Sequence, residues 1–194
     1  MSDALPNPRH RLALILVDVN RSFFDPKGAF YYPAVVEVLP ALSALLEAAR
    51  AGGRLIVHAR EMHHPGLLDA EWAKLPVHCI AGAFDAEPFP GFEERPGVAK
   101  RRYSAFFATE LALLLHEQGV RRVIVAGVKT NVCIRATTQD AFAHGFRPIV
   151  VRGSVNSNRP HLHAASIEDI ERYLGEVIDL DQGTAWLRGE VPDA

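Results

Sequence analysis

Three side chains could share one piece of chemistry: Asp18, Lys100 and Cys133. A cysteine is a nucleophile only as its thiolate, so it needs a proton acceptor and a cation near the sulfur. Asp18 follows the apolar pair Leu16-Val17. A carboxylate is costly to bury there without a partner, and a helix cap or turn residue is an equally good reading of that position. Cys133 follows Val128-Lys-Thr-Asn-Val132 and precedes a helical pattern. Its sulfur is therefore expected near a helix N-terminus, where the macrodipole lowers a thiol pKa; a small core residue is the plainer reading of any free cysteine. Lys100 opens Lys100-Arg-Arg-Tyr-Ser-Ala-Phe106 and taken alone is a surface charge in a basic run. Cys79, beside His78 in an irregular stretch, is given no catalytic role.

Positions 18, 100 and 133 meet only if the chain folds back on itself. Five short, β-branched runs read as strands buried on both faces: Leu12 to Val19, Arg54 to Ala59, Arg122 to Gly127, Pro148 to Val151 and Glu176 to Leu180. Helical patterns lie between them at Val35 to Arg50, Ser104 to Gln118, Arg135 to His144 and Ser166 to Leu174, the last opened by a near capping box, Ser166-Ile-Glu-Asp169. Strands alternating with helices predict an α/β fold, a three-layer αβα sandwich around a mainly parallel central sheet. The stretch His58 to Val98 breaks the alternation, and long loops at the carboxyl ends of parallel strands carry function.

The 194 residues are 48% hydrophobic and 23% charged. That length buries roughly 70% of the surface of the unfolded chain, so a single domain over 1–194 is expected, with residues 1–10 flexible. A balance of 21 basic and 23 acidic side chains argues against a nucleic-acid partner. The run Leu12 to Val17 is too short for a membrane span or a signal core, and two unrelated cysteines read as thiols of a reduced, cytoplasmic protein.

Leu16-Val-Asp-Val-Asn-Arg-Ser-Phe23, Lys100-Arg-Arg-Tyr-Ser-Ala-Phe106 and Gly127-Val-Lys-Thr-Asn-Val-Cys-Ile-Arg-Ala-Thr-Thr-Gln-Asp-Ala141, followed by Gly145, resemble the isochorismatase-like cysteine hydrolases in kind and order. The resemblance implies a Rossmann-like fold and a catalytic triad of Asp18, Lys100 and Cys133. It also implies a cis peptide at Val128–Lys129 and an oxyanion hole made by the backbone N–H groups of Lys129 and Cys133. The implied reaction is cleavage of a C–N bond in a small amide or carbamoyl compound, releasing ammonia through a Cys133 thioester. Relatives that cleave a vinyl ether lack the nucleophilic cysteine.

Within that family the substrate-binding residues are expected to be Phe23, on the pocket wall, and Arg159, as a fork for a substrate carboxylate. A core-filling Phe23 and a surface Arg159 remain open, and Lys129 could charge the pocket mouth. Glu61-Met-His63 and His78-Cys79 look like an altered copy of the metal-binding element of nicotinamidases. No cofactor is expected: the histidines are read as lining a polar loop, with Glu61, His63 and His78 the ligands if Zn²⁺ were held. The alternatives are a metal-containing nicotinamidase and a non-catalytic α/β binding protein. A homo-oligomer, dimer or tetramer, is implied by resemblance, with the stretch Trp72 to Phe92 covering a neighbour's pocket.

Overall fold

In a computed structural model, residues 12–190 are described. The expected flexible segment 1–10 lies outside them. Seven parallel strands form one sheet: β1 (Leu12–Val17), β2 (Leu55–Glu61), β3 (Gly97–Lys100), β4 (Arg122–Val128), β5 (Arg147–Val151), β6 (Val155–Asn156) and β7 (Glu176–Ile178). Their spatial order is β3-β2-β1-β4-β5-β7, with the short β6 also pairing with β4. Helices α1 (Arg21–Phe24), α2 (Leu39–Ala51), α3 (Leu111–Glu117), α4 (Arg135–Ala143), α5 (Pro160–Asp169) and α6 (Leu180–Arg188) complete the layers. No helix among the described residues is long and apolar enough to cross a membrane.

Alternation along β1 divides the core in two. Leu12, Leu14 and Leu16 point to one face, where Leu42, Leu45 and Leu187 of α2 and α6 cover them. Ala13, Ile15 and Val17 point to the other and join Leu111, Ile134, Ala141 and Ile167 from the α3–α5 side. Both faces are dry, which is why the parallel strands read as continuous apolar runs.

From β1 the chain moves outward through β2 to β3, then returns to place β4 on the other side of β1. Such a reversal opens a crevice at the carboxyl ends of the two central strands. Close approach there requires Gly127: a Cβ on it would lie 2.1 Å from the carbonyl oxygen of Val17, and its φ is +123°.

Four expectations need correction. The patterns at Ser104 to Gln118 and Ser166 to Leu174 are shifted helices: α3 begins only at Leu111, and α5 begins at Pro160 and passes into a π turn over Ile170–Leu174. Before α3, hydroxyls occupy the backbone instead. Ser104 Oγ accepts from the N–H of Phe106 (3.1 Å), Thr109 Oγ1 accepts from Leu111 (3.3 Å), and Ala108 is left-handed at φ 53°. Ser166 is no cap, because it lies inside α5 and its Oγ donates to the carbonyl of Leu162 (2.7 Å). Strand β3 and helix α6 have no counterpart in the sequence reading; Leu180 begins α6 and does not extend β7.

His58, in β2, is 1% exposed and its Nδ1 lies 2.7 Å from the carbonyl oxygen of Phe92. Burial lowers its pKa from 6.5 to about 3. Below pH 6.5 the unfolded chain therefore takes up a proton that the folded chain refuses until about pH 3, and stability falls with pH across that window. The slope from this group is about 1.4 kcal/mol per pH unit. His58→Gln should remove it, measured as a smaller loss of urea midpoint between neutral and acidic pH than in the wild type.

Candidate active site

Asp18, Lys100 and Cys133 each end or follow a strand at the crevice. Asp18 follows β1 in the left-handed conformation, φ 54°, while its N–H donates to the carbonyl of Ala59 (2.9 Å). A non-glycine residue holds such a φ only where its surroundings over-determine it. The carboxylate turned inward accepts from the backbone N–H of Glu61 through Oδ1 (2.8 Å) and meets Lys100 Nζ through Oδ2 (2.8 Å). Lys100 is the last residue of β3, paired in register with Glu61. Its burial pattern alternates, so the side chain enters the protein and is fully buried. Its Nζ lies 3.6 Å from the sulfur of Cys133. Cys133 lies in a π turn, Thr130–Ile134, between β4 and α4, and is 3% exposed. Single π turns inside helices recur at functional sites. The peptide Val128–Lys129 is cis.

The electrostatics correct the expectation of a lowered thiol pKa. Burial pushes the Cys133 thiol well above its ordinary range, and the Asp18 carboxylate reinforces this against the opposing pull of Lys100. Full desolvation of the sulfur outweighs the helix terminus. Burial also raises Asp18, against Lys100. For Lys100, burial acts downward, but Asp18, Cys133 and Glu61 together hold the ammonium above the usual lysine range. The sulfur, its neutral form favoured by burial, thus lies beside the Asp18–Lys100 contact.

A second cluster adjoins the first. Glu61, His63, Glu71 and His78 are all buried, and one ligand atom from each lies within 4.8 Å of the others. His63 Nδ1 is held by Asp69 Oδ2 (3.0 Å) and His78 Nδ1 by the carbonyl of Pro76 (2.7 Å). With both Nδ1 atoms held, the two Nε2 atoms turn inward and face each other at 3.3 Å, and that of His78 also lies 3.3 Å from Glu61 Oε2. Glu61 Oε1 and both carboxylate oxygens of Glu71 are buried without a hydrogen-bond partner. Burial and the charge of Glu61 raise the Glu71 carboxyl to about 7. Two inward imidazole Nε2 atoms and carboxylate oxygens without hydrogen-bond partners are the donor set of a borderline divalent cation, so these four residues fit one. Glu71 and Asp69 were missed from sequence. Asp69 caps the 3₁₀ turn Ala70–Ala73 through the N–H of Glu71 (3.0 Å), and the Asp-x-Glu turn signal at 69–71 could have pointed to both.

Phe23 is buried and stacks on Phe30 with ring centroids 5.4 Å apart; Phe30 in turn meets His78 edge-on at 4.6 Å. Sequence reasoning named Phe23 and overlooked Phe30, whose only signal was its place in an aromatic run, Phe30-Tyr31-Tyr32. Arg159 is exposed just before α5, its backbone N–H donating to Ser157 Oγ (3.1 Å). Cys79 is buried behind the site with its thiol pushed up by burial, 3.8 Å from Asn20 Nδ2.

A model of the isochorismatase domain matches residues 12–182. The chain belongs to the isochorismatase family. Maleamate amidohydrolase of Pseudomonas putida is 36% identical over 186 residues, covering 91% of this chain and 86% of that protein. An isochorismatase-like hydrolase from Alkaliphilus metalliredigens matches with a TM-score of 0.84 at 28% identity, over 91% of this chain and 99% of that one. Pyrazinamidase of Pyrococcus horikoshii, solved in complex with zinc, matches with a TM-score of 0.78 at 30% identity, over 87% and 99%. The isochorismatase-like fold expected from sequence is thus the observed one, and as a family member this chain places Asp18, Lys100 and Cys133 within contact of one another.

Removing Lys100 leaves a fully buried carboxylate unpaired, which costs about 3–5 kcal/mol. Lys100→Met should lower the unfolding free energy by that amount. The double variant with Asp18→Asn should regain most of it, measured by urea denaturation.

Proposed function

We propose that this isochorismatase-family amidohydrolase cleaves the C–N bond of a small amide or carbamoyl compound by covalent catalysis at Cys133. The observation that carries this reading is the buried contact chain Asp18–Lys100–Cys133 at the mouth of the β1/β4 crevice. Asp18, with its raised pKa, is a competent base for a thiol that rests protonated. As the proton passes to Asp18, the sulfur attacks the carbonyl carbon, and the oxyanion is met by the backbone N–H groups of Lys129 and Cys133. The carbonyl re-forms as the C–N bond breaks, with Asp18 returning the proton to the departing nitrogen. Water, deprotonated by Asp18, then hydrolyses the thioester and restores the thiol. Lys100, held as an ammonium, stabilises the sulfur anion and never transfers its proton.

Cys133→Ala and Asp18→Asn should each lower kcat by at least about a thousandfold in an ammonia-release screen over amides and ureides, with the fold retained by circular dichroism. Retained turnover in the cysteine variant would overturn the mechanism. Iodoacetamide should label Cys133 ahead of the fully buried Cys79.

A second reading, a metal-containing nicotinamidase, is favoured by one observation, the Glu61, His63, Glu71 and His78 cluster. These side chains would hold a divalent cation, which supplies positive charge for orienting a heteroatom of the substrate. Beside that cation Asp69 fixes the tautomer of His63, and Phe30 packs over His78. Added Zn²⁺ should raise Tm by about 5 °C at saturation. His78→Ala should abolish the shift. No bound metal, no shift and no ammonia from nicotinamide would remove this reading.

A further inference from the structure

Lys129 stands four residues before the nucleophile, at the end of β4, with its side chain in an unusual environment. Its Nζ lies 5.3 Å from the ring centroid of Phe30, 5.5 Å from that of Tyr32 and 5.9 Å from that of Phe23. All three rings come from the segment that follows β1. They are held there: Phe23 stacks on Phe30, and the Tyr32 hydroxyl donates to Asn156 Oδ1, whose amide donates to the carbonyl of Ala34. Three fixed ring faces give the ammonium a defined position beside the site.

What this cation lacks is an anion. Among the described residues no carboxylate lies within ion-pairing distance of Lys129 or of Arg159, whereas the other buried cation of the site, Lys100, has Asp18. Lys129 is half-buried, and burial lowers its pKa; Cys133 acts to raise it, and the like charge of Arg159 lowers it further. The two cations therefore sense each other, and Lys129 senses the nucleophile. A half-buried ammonium held among three rings without a carboxylate partner is stabilised by a ligand that brings the missing negative charge. With a formal net charge of −2 the protein as a whole has no field to attract an anion, so any such preference is local.

We propose that Lys129 is a specificity-determining residue that selects, among small amide and carbamoyl compounds, those carrying a carboxylate, which its caged ammonium binds. This rests on the Cys133 reading above and narrows its substrate class. The peptide N–H of Lys129 and its side chain have separate tasks: the first faces the oxyanion, the second the distal carboxylate. Substitution of the side chain leaves the N–H in place.

The test uses two alkylating probes that present the same carbon to Cys133 and differ in charge, iodoacetate and iodoacetamide. In each, an S–C bond forms as iodide leaves. The ratio of their second-order rate constants at Cys133, read by mass spectrometry, cancels any general effect of a substitution on folding or thiol reactivity. Lys129→Met should reduce the iodoacetate-to-iodoacetamide ratio by about tenfold, the scale of one partly buried charge contact. Lys129→Arg should keep it within about twofold of wild type. In a parallel comparison, KM for monoamides of four- and five-carbon dicarboxylic acids should rise in Lys129→Met relative to KM for their uncharged methyl esters. Labelling by both reagents at an unchanged ratio overturns the Lys129 assignment and leaves the nucleophile standing. Failure of both reagents to label Cys133 overturns the nucleophile and the inference with it.

Discussion

The ion pair between Lys100 and Asp18, 2.8 Å long and fully buried on both sides, is the constraint around which the rest of the site is arranged. Neither charge is tolerable there alone, because a desolvated ion without a partner costs several kcal/mol. The partners come from positions 18 and 100, so the pair forms only when β3 adds to the sheet beside β2 and aligns with it. Asp18 must then leave β1 with a left-handed backbone, and β4 must approach β1 closely enough to require Gly127. The sulfur of Cys133 completes the arrangement at 3.6 Å. Fold and site share this one contact, since the pair that joins β1 to the sheet edge also places a carboxylate and an ammonium beside the sulfur of Cys133.

Glu61 ties the two clusters together. Its backbone N–H supports the Asp18 carboxylate while its side chain joins His63, Glu71 and His78. Phe30 makes a similar link, with one contact to His78 and another to the ammonium of Lys129. Phe30 thus touches both the cluster and the cation–aromatic cage, and the irregular stretch after β2 supplies His63, Glu71 and His78 to the cluster.

Much of the fold was legible because buried parallel strands have a strong composition. β1, β2, β4, β5 and β7 were all read as apolar runs, with ends misplaced by one or two residues. β3 was not, for a physical reason: only Val98 and Lys100 of its four residues are buried, and a lysine in a basic run looks like surface. The start of α3 was placed too early because Ser104 and Thr109 carry helical periodicity in their neighbours yet spend their hydroxyls on the backbone. Of the site, Asp18, Lys100 and Cys133 were legible as a motif. The direction of the Cys133 pKa was not, since burial of the sulfur depends on everything packed around the turn.

The sequence by itself determined which atoms can react and the alternation that lays a parallel sheet between two helical layers, because residue types and local periodicity are properties of short stretches. Tertiary structure alone decided the electrostatics. Burial pushed the Cys133 thiol up and neighbouring acidic groups held the Lys100 ammonium up against its own burial, the packing of residues 61–78 converted scattered carboxylates and imidazoles into one cluster, and three rings closed around Lys129. Each of these depends on distances between groups remote along the chain and on the water excluded between them, quantities that exist only once the chain has folded.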